Sequence, residues 1–184
     1  GDILSEYGAS CCNYIVITDT FTKRSALIHT NIVTREDARE VLNSVFDFLG
    51  VNPGSDQSGR NRLMAIIVRN NIGKVRQRLS KQTEKVFADE IDDLGIRRLD
   101  TDINNLWSAS QVRFLAEEGM LMIVGEDKSG RYILHSLDMY EMMNNKETDV
   151  LLAKIKEGLV VTDEMRREFD AVPRVYRAVY IRYR

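Results

Sequence analysis

The apolar positions of the chain change period along its length. Tyr14-Ile15-Val16-Ile17 and Ser25-Ala26-Leu27-Ile28-His29 are short apolar runs around a polar connection, Thr18 to Arg24, and predict the two strands of a hairpin. After Thr34 the period becomes helical, with Ala38, Val41, Leu42, Val45, Phe46 and Leu49 on one stripe. Thr34 serves as N-cap, Asp37 completes a variant of the capping box, and Gly50 closes the helix. Composition makes 52–59 a loop and Leu63 to Val68 a short buried strand. A second helix is predicted from Ile72 to Leu94, with Val75, Leu79, Val86, Ile91 and Leu94 on or near one face and Gly95 at its end. Ile96 to Leu99 follows as a strand. Gln111–Leu115, Met120–Val124 and Arg131–His135 then predict an antiparallel meander, turning at Glu117-Glu118-Gly119 and at Asp127-Lys128-Ser129-Gly130. In the tail, one short helix starts at Thr148 or Asp149 and another at Thr162-Asp163-Glu164, and Val175 to Tyr183 reads as a final strand after Pro173. The pattern predicts an α+β fold in which β-sheet layers, hairpin plus meander, pack with two main helices.

Composition leaves that picture standing and removes several function classes. The chain of 184 residues is 43% hydrophobic and 29% charged, enough apolar surface for a sizeable core. Its net charge of −2 gives no reason to expect nucleic acid or an anionic membrane as partner. No apolar run approaches the length of a membrane span, and no basic segment followed by an apolar one marks a signal peptide. No phosphate-binding glycine loop, Gly-x-Ser-x-Gly or paired-carboxylate motif is present. The only cysteines, Cys11 and Cys12, are adjacent, which strains a disulfide between them; two free thiols fit a reducing compartment. Adjacent cysteines also chelate a tetrahedral ion poorly, so neither metal nor cofactor is expected.

The candidate chemistry is a thiol–imidazole pair. If the hairpin turn centres between Thr20 and Phe21, Cys12 lies directly across from His29, on the same face and close enough for a hydrogen bond. A register shifted by one brings Cys11 there instead. An imidazole that takes the thiol proton leaves a thiolate able to attack an amide or ester carbonyl. A third group normally orients the imidazole. Glu6, an even number of residues before Cys12, shares its face if the strand is regular that far back. A lone Cys and a lone His on neighbouring strands are also commonly core residues, and His135 reads as a structural or surface histidine.

Gly8-Ala9-Ser10-Cys11-Cys12, followed by Asp19, Lys23, Ala26 and His29, resembles the signature of the CheD family, chemoreceptor glutamine deamidases whose Cys–His core is shared with deamidating toxins of the cytotoxic necrotizing factor type. Asn71-Ile72-Gly73, a helix and then Gly95-Ile96 extend the likeness, which covers roughly the first two-thirds of the chain. The resemblance implies Cys12 as nucleophile, His29 as base and hydrolysis of a protein glutamine side chain to glutamate through a thioester. It implies a CheD-like catalytic domain over 1–135 and a C-terminal extension of helix and strand over 136–184. The chain has Glu6 where the family carries Thr, and Thr20 rather than Pro after Asp19. These departures, and a tail without counterpart, turn the expectation from chemotaxis to a bacterial effector acting on a host protein, in the cytoplasm of its own cell or secreted into a host cytosol. The same pair would also suit a thiol protease or transglutaminase, and the same fold a non-catalytic binding module.

Overall fold

The computed structural model describes residues 3–7, 13–69, 74–101, 108–126, 129–144, 159, 160, 162–164 and 167. The fold is α+β, with two sheets, and its contacts divide it into two units, residues 10–102 with 177–184 and residues 1–9 with 103–176.

The first unit is built on a four-stranded sheet, in the order β3-β2-β4-β5. Strands β2 (Asn13–Asp19) and β3 (Ser25–Thr30) form the hairpin; β4 (Leu63–Val68) joins β2 antiparallel; β5 (Arg97–Thr101) runs parallel to β4. A parallel pair needs a long crossover, which helix α3 (Lys74–Asp93) supplies. Ile15, Ile17, Ala26, Ile28, Leu63, Ala65 and Ile67 share one face of the sheet and form a single core with the helices. The opposite face, with Val16, Leu27, Met64 and Ile66, is buried as well. Burial on both faces explains why β2 and β4 read as unbroken apolar runs rather than alternating ones.

Helix α1 (Arg35–Leu49) forms as expected. The Thr34 hydroxyl accepts from the Asp37 N–H, Gly50 adopts a left-handed φ of 71°, and every residue of the anticipated stripe is buried. Helix α3 agrees in part. Among its described side chains Ile91 is fully buried and Val86 packs on the core, as does Leu94 just past its end, but Leu79 is 41% exposed and Ser80, Thr83 and Phe87 complete the buried face. The small hydroxyls of Ser80 and Thr83 hide the buried face from a search for apolar residues. A two-turn helix, α2 (Gln57–Arg62), takes the end of the segment expected to be loop; it is too short and polar to show a period. Helices α1 and α3 are tied by Glu90, which receives Arg35 Nε at 2.5 Å and Arg39 Nε at 3.0 Å, while Arg35 also binds Asp93.

The second unit contains the meander, β6 (Ser108–Leu115), β7 (Met120–Glu126) and β8 (Tyr132–Asp138). Strand β1 (Ile3–Tyr7) adds antiparallel to β6, and β9 (Leu159–Val160) to β8. Val112, Phe114, Leu121, Ile123 and Leu137 are its buried face, and His135, 1% exposed, stands opposite Ile123. Gly119 ends the β6–β7 turn at φ 70°, against the Tyr140 ring of the short helix α4 (Met139–Asn144). Asp163, Glu164 and Arg167 are helical, in line with the helix start read at Thr162. The tail helix starting at 148 or 149 and the strand over 175–183 lie outside the described residues, as do residues 127 and 128 of the turn at 127–130.

Candidate functional site

The register of the hairpin decides what His29 faces. Asp19 Oδ1 accepts the N–H groups of Phe21 at 2.9 Å and Thr22 at 3.2 Å, and Lys23 adopts a left-handed φ of 60°. The Asp19 N–H then bonds the Arg24 carbonyl at 2.9 Å. This side-chain-capped turn is centred one residue later than expected, between Phe21 and Thr22, and pairs Tyr14 with His29. The direct opposition of residue 12 to His29 is thereby corrected: Tyr14 occupies that place. Their rings lie 5.0 Å apart between centroids and are tilted by 31°. Tyr14 is fully buried and His29 partly exposed.

Around this pair the sheet end gathers polar residues. Asn13 opens β2, fully buried. Its Nδ2 donates to the Ser80 carbonyl at 2.8 Å, and the Ser80 hydroxyl donates to its Oδ1. Arg69, which follows the end of β4, pairs with Glu84 of α3 at 3.1 Å. Thr83 is buried beside them on the same helix face, its hydroxyl without a hydrogen-bond partner among the described residues. The start of β2, the ends of β3 and β4 and one face of α3 therefore converge where the chain bearing Cys12 enters the sheet.

Cys11 and Cys12 themselves lie outside the described residues. Glu6 belongs to β1, where it pairs with Val112 in the five-stranded sheet. Two separate strands in two sheets, not one regular strand, carry residues 6 and 13, so the parity that brought Glu6 to the face of Cys12 no longer applies. Asp19 sits at the other end of the hairpin, five residues from Tyr14, about 17 Å along an extended strand. It is fully buried, with Arg62 Nη2 at 3.1 Å, and its visible work is to hold the turn.

Sequence reasoning overlooked Asn13, Tyr14 and Ser80. Its one available signal was a polar residue, Asn13, immediately before a strand otherwise apolar. Among the described residues no group of three or more His, Cys, Asp or Glu is placed to hold a metal ion, and no helix is long and apolar enough to cross a membrane. No protein-family model matches the chain, and no curated protein matches it. Chemically, a partly exposed imidazole beside a phenol ring can take a proton from a thiol that reaches it.

Proposed function

We propose that the chain is a cysteine-dependent protein glutamine deamidase of CheD-like fold, with Cys12 as nucleophile and His29 as base. One observation carries the reading: His29 lies partly exposed at the end of β3, across from the second residue of the strand that Cys12 directly precedes. Tyr14 lies directly opposite His29, so the proposed pair does not rest on direct cross-strand opposition. His29 takes the thiol proton. The thiolate adds to the glutamine carboxamide carbon, and backbone N–H groups near Cys12 and Asn13 receive the oxyanion. His29 returns the proton to the departing nitrogen, ammonia leaves, and a thioester remains. Water, activated by His29, hydrolyses it to glutamate and restores the thiol. Residues 1–135 are the proposed catalytic domain and 136–184 its extension. The proposed setting is a bacterial effector acting on a host protein.

The register also favours a second reading, a non-catalytic binding module of the same fold, because the direct partner of His29 is a tyrosine ring. Two measurements decide. Incubation with candidate proteins, followed by peptide mass spectrometry, is expected to show glutamine converted to glutamate; conversion that survives Cys12→Ala sinks the enzyme reading. Peptide cleavage or amine incorporation in its place indicates a protease or a transglutaminase. Alkylation by iodoacetamide against pH, in a Cys11→Ser background, is expected to reveal a thiol titrating below its ordinary value of about 8.5. His29→Ala should return it to that value. An ordinary thiol in the parent favours the binding module.

A further inference from the structure

Helix α3 carries its charges against its own dipole. Its first half, Lys74 to Thr83, holds Lys74, Arg76, Arg78 and Lys81 and no acidic residue; its second half holds Glu84, Asp89, Glu90, Asp92 and Asp93. The dipole favours the reverse, and each misplaced charge near an end costs about 0.3–1 kcal/mol. The acidic half is used within the fold: Glu90 and Asp93 bind α1, Asp92 binds Arg98, and Asp89 binds Lys85. In the basic half, Arg78 and Lys81 are exposed, and neither forms an ion pair among the described residues.

Helical spacing of three and seven residues brings Arg78, Lys81 and Lys85 to one stripe. It lies away from Ser80, Thr83, Phe87 and Ile91, the buried face. Like charges at these spacings repel by about 0.2–0.5 kcal/mol per pair. The stripe thus opposes stability through like-charge repulsion, and no ion pair among the described residues offsets it at Arg78 or Lys81. Local rules broken without internal compensation mark functional surfaces.

We propose that this stripe binds an acidic segment of the protein substrate. The word substrate rests on the deamidase reading; the binding does not. The stripe runs about 10 Å along the helix, the length of about three residues of extended peptide. Ser80, the neighbour of Lys81, bonds Asn13 at the start of β2. The stripe lies on the opposite side of the helix from Ser80, so a peptide that joins it to the candidate site passes round half the helix, roughly 16–19 Å. Acidic residues about five or six positions from the reactive glutamine would reach both. A protein fits better than the other polyanions. The chain's net charge of −2 works against long-range capture of nucleic acid. The apolar side of α3 is turned into the core, so the helix has no face to lay into a bilayer.

The test is fluorescence anisotropy of a fluorescein-labelled oligo-glutamate peptide titrated with the chain, beside an oligo-glutamine peptide of equal length, a single-stranded DNA and phosphatidylserine vesicles. Binding is expected to favour the oligo-glutamate, to weaken with salt, and to fall at least about tenfold in Arg78→Glu/Lys81→Glu, the size of a coupling near 1.4 kcal/mol. That variant relieves the like-charge repulsion along the stripe, so its melting temperature should hold or rise; Arg78→Gln/Lys81→Gln serves as a second variant. Wild-type affinity in both variants, equal binding of oligo-glutamine, or preference for DNA or vesicles overturns the proposal. An inactive chain that binds the acidic peptide through Arg78 and Lys81 overturns the deamidase reading and keeps the stripe. An active chain that does not bind it overturns the stripe alone.

Discussion

Asp19, one of the residues on which the resemblance to the CheD family was read, has a local job set by its neighbours. Oδ1 receives two turn N–H groups, and Oδ2 faces Arg62 Nη2 at 3.1 Å as an ion pair without an aligned hydrogen bond. Truncation to alanine leaves these N–H groups and a guanidinium without their acceptor. Asp19→Ala should therefore cost about 2–3 kcal/mol, read as a lower urea midpoint at unchanged slope. Arg62, 35% exposed, can turn to water, which keeps the loss below that of a fully buried pair. Asp19→Asn, which keeps an accepting oxygen, should recover part of it. The Cys12 alkylation profile in Asp19→Asn should match the parent; a displaced profile would mean Asp19 acts on the site. At this scale the sequence was legible as chemistry, since it singles out His29 as a residue type. It did not announce Tyr14 as the partner, because the turn offset depends on an aspartate cap and on Lys23 in a conformation that lysine seldom adopts.

At the scale of elements, helices and strands follow from contiguous residues. Thr34, the buried stripe and Gly50 specify α1, and the structure agrees at each. Helix α3 was placed within two residues and Ile91 on its buried face, but Leu79 was read there too, where Ser80, Thr83 and Phe87 stand instead. Two glycines separate backbone need from space. Gly50 and Gly119 have φ of 71° and 70°, a conformation that costs an L-residue about 1–2 kcal/mol. A Cβ on Gly50 would meet only the flexible tip of Arg24, at 3.9 Å, whereas one on Gly119 would overlap the Tyr140 ring. That ring is held by its hydroxyl, which donates to the Ala116 carbonyl at 2.5 Å. Gly119→Ala should thus lose about 1–3 kcal/mol more than Gly50→Ala, the range for overpacking. Equal losses by urea unfolding would show that the Tyr140 ring moves aside freely.

At the scale of the molecule, Glu90 couples folding to pH. Burial alone pushes its carboxyl up, but hydrogen bonds from Arg39 and Arg35 outweigh burial and hold it below the usual carboxylate range. The folded state therefore binds the Glu90 proton less readily than the unfolded state. Its stabilising contribution is complete above the unfolded value of about 4.3 and disappears as pH falls through the lowered folded value. Melting temperature measured from neutral pH down to pH ~3 should fall more steeply for the wild type than for Glu90→Gln over that window. Parallel curves would remove Glu90 as the cause. The exposure of Arg35 and Arg39, 47% and 62%, keeps the effect modest.

The thiol–imidazole pair came from the sequence as two residue types on two predicted strands. By itself the sequence determined the α+β class, the hairpin, the two main helices and the meander, because period, caps and turn residues belong to neighbouring positions. Only the tertiary structure decided that Glu6 and Asn13 lie in different sheets, that β5 runs parallel to β4 and that His29 faces Tyr14. These are set by contacts between distant segments, such as Asn13 with Ser80 and Asp19 with Arg62, whose energies no local window of sequence contains.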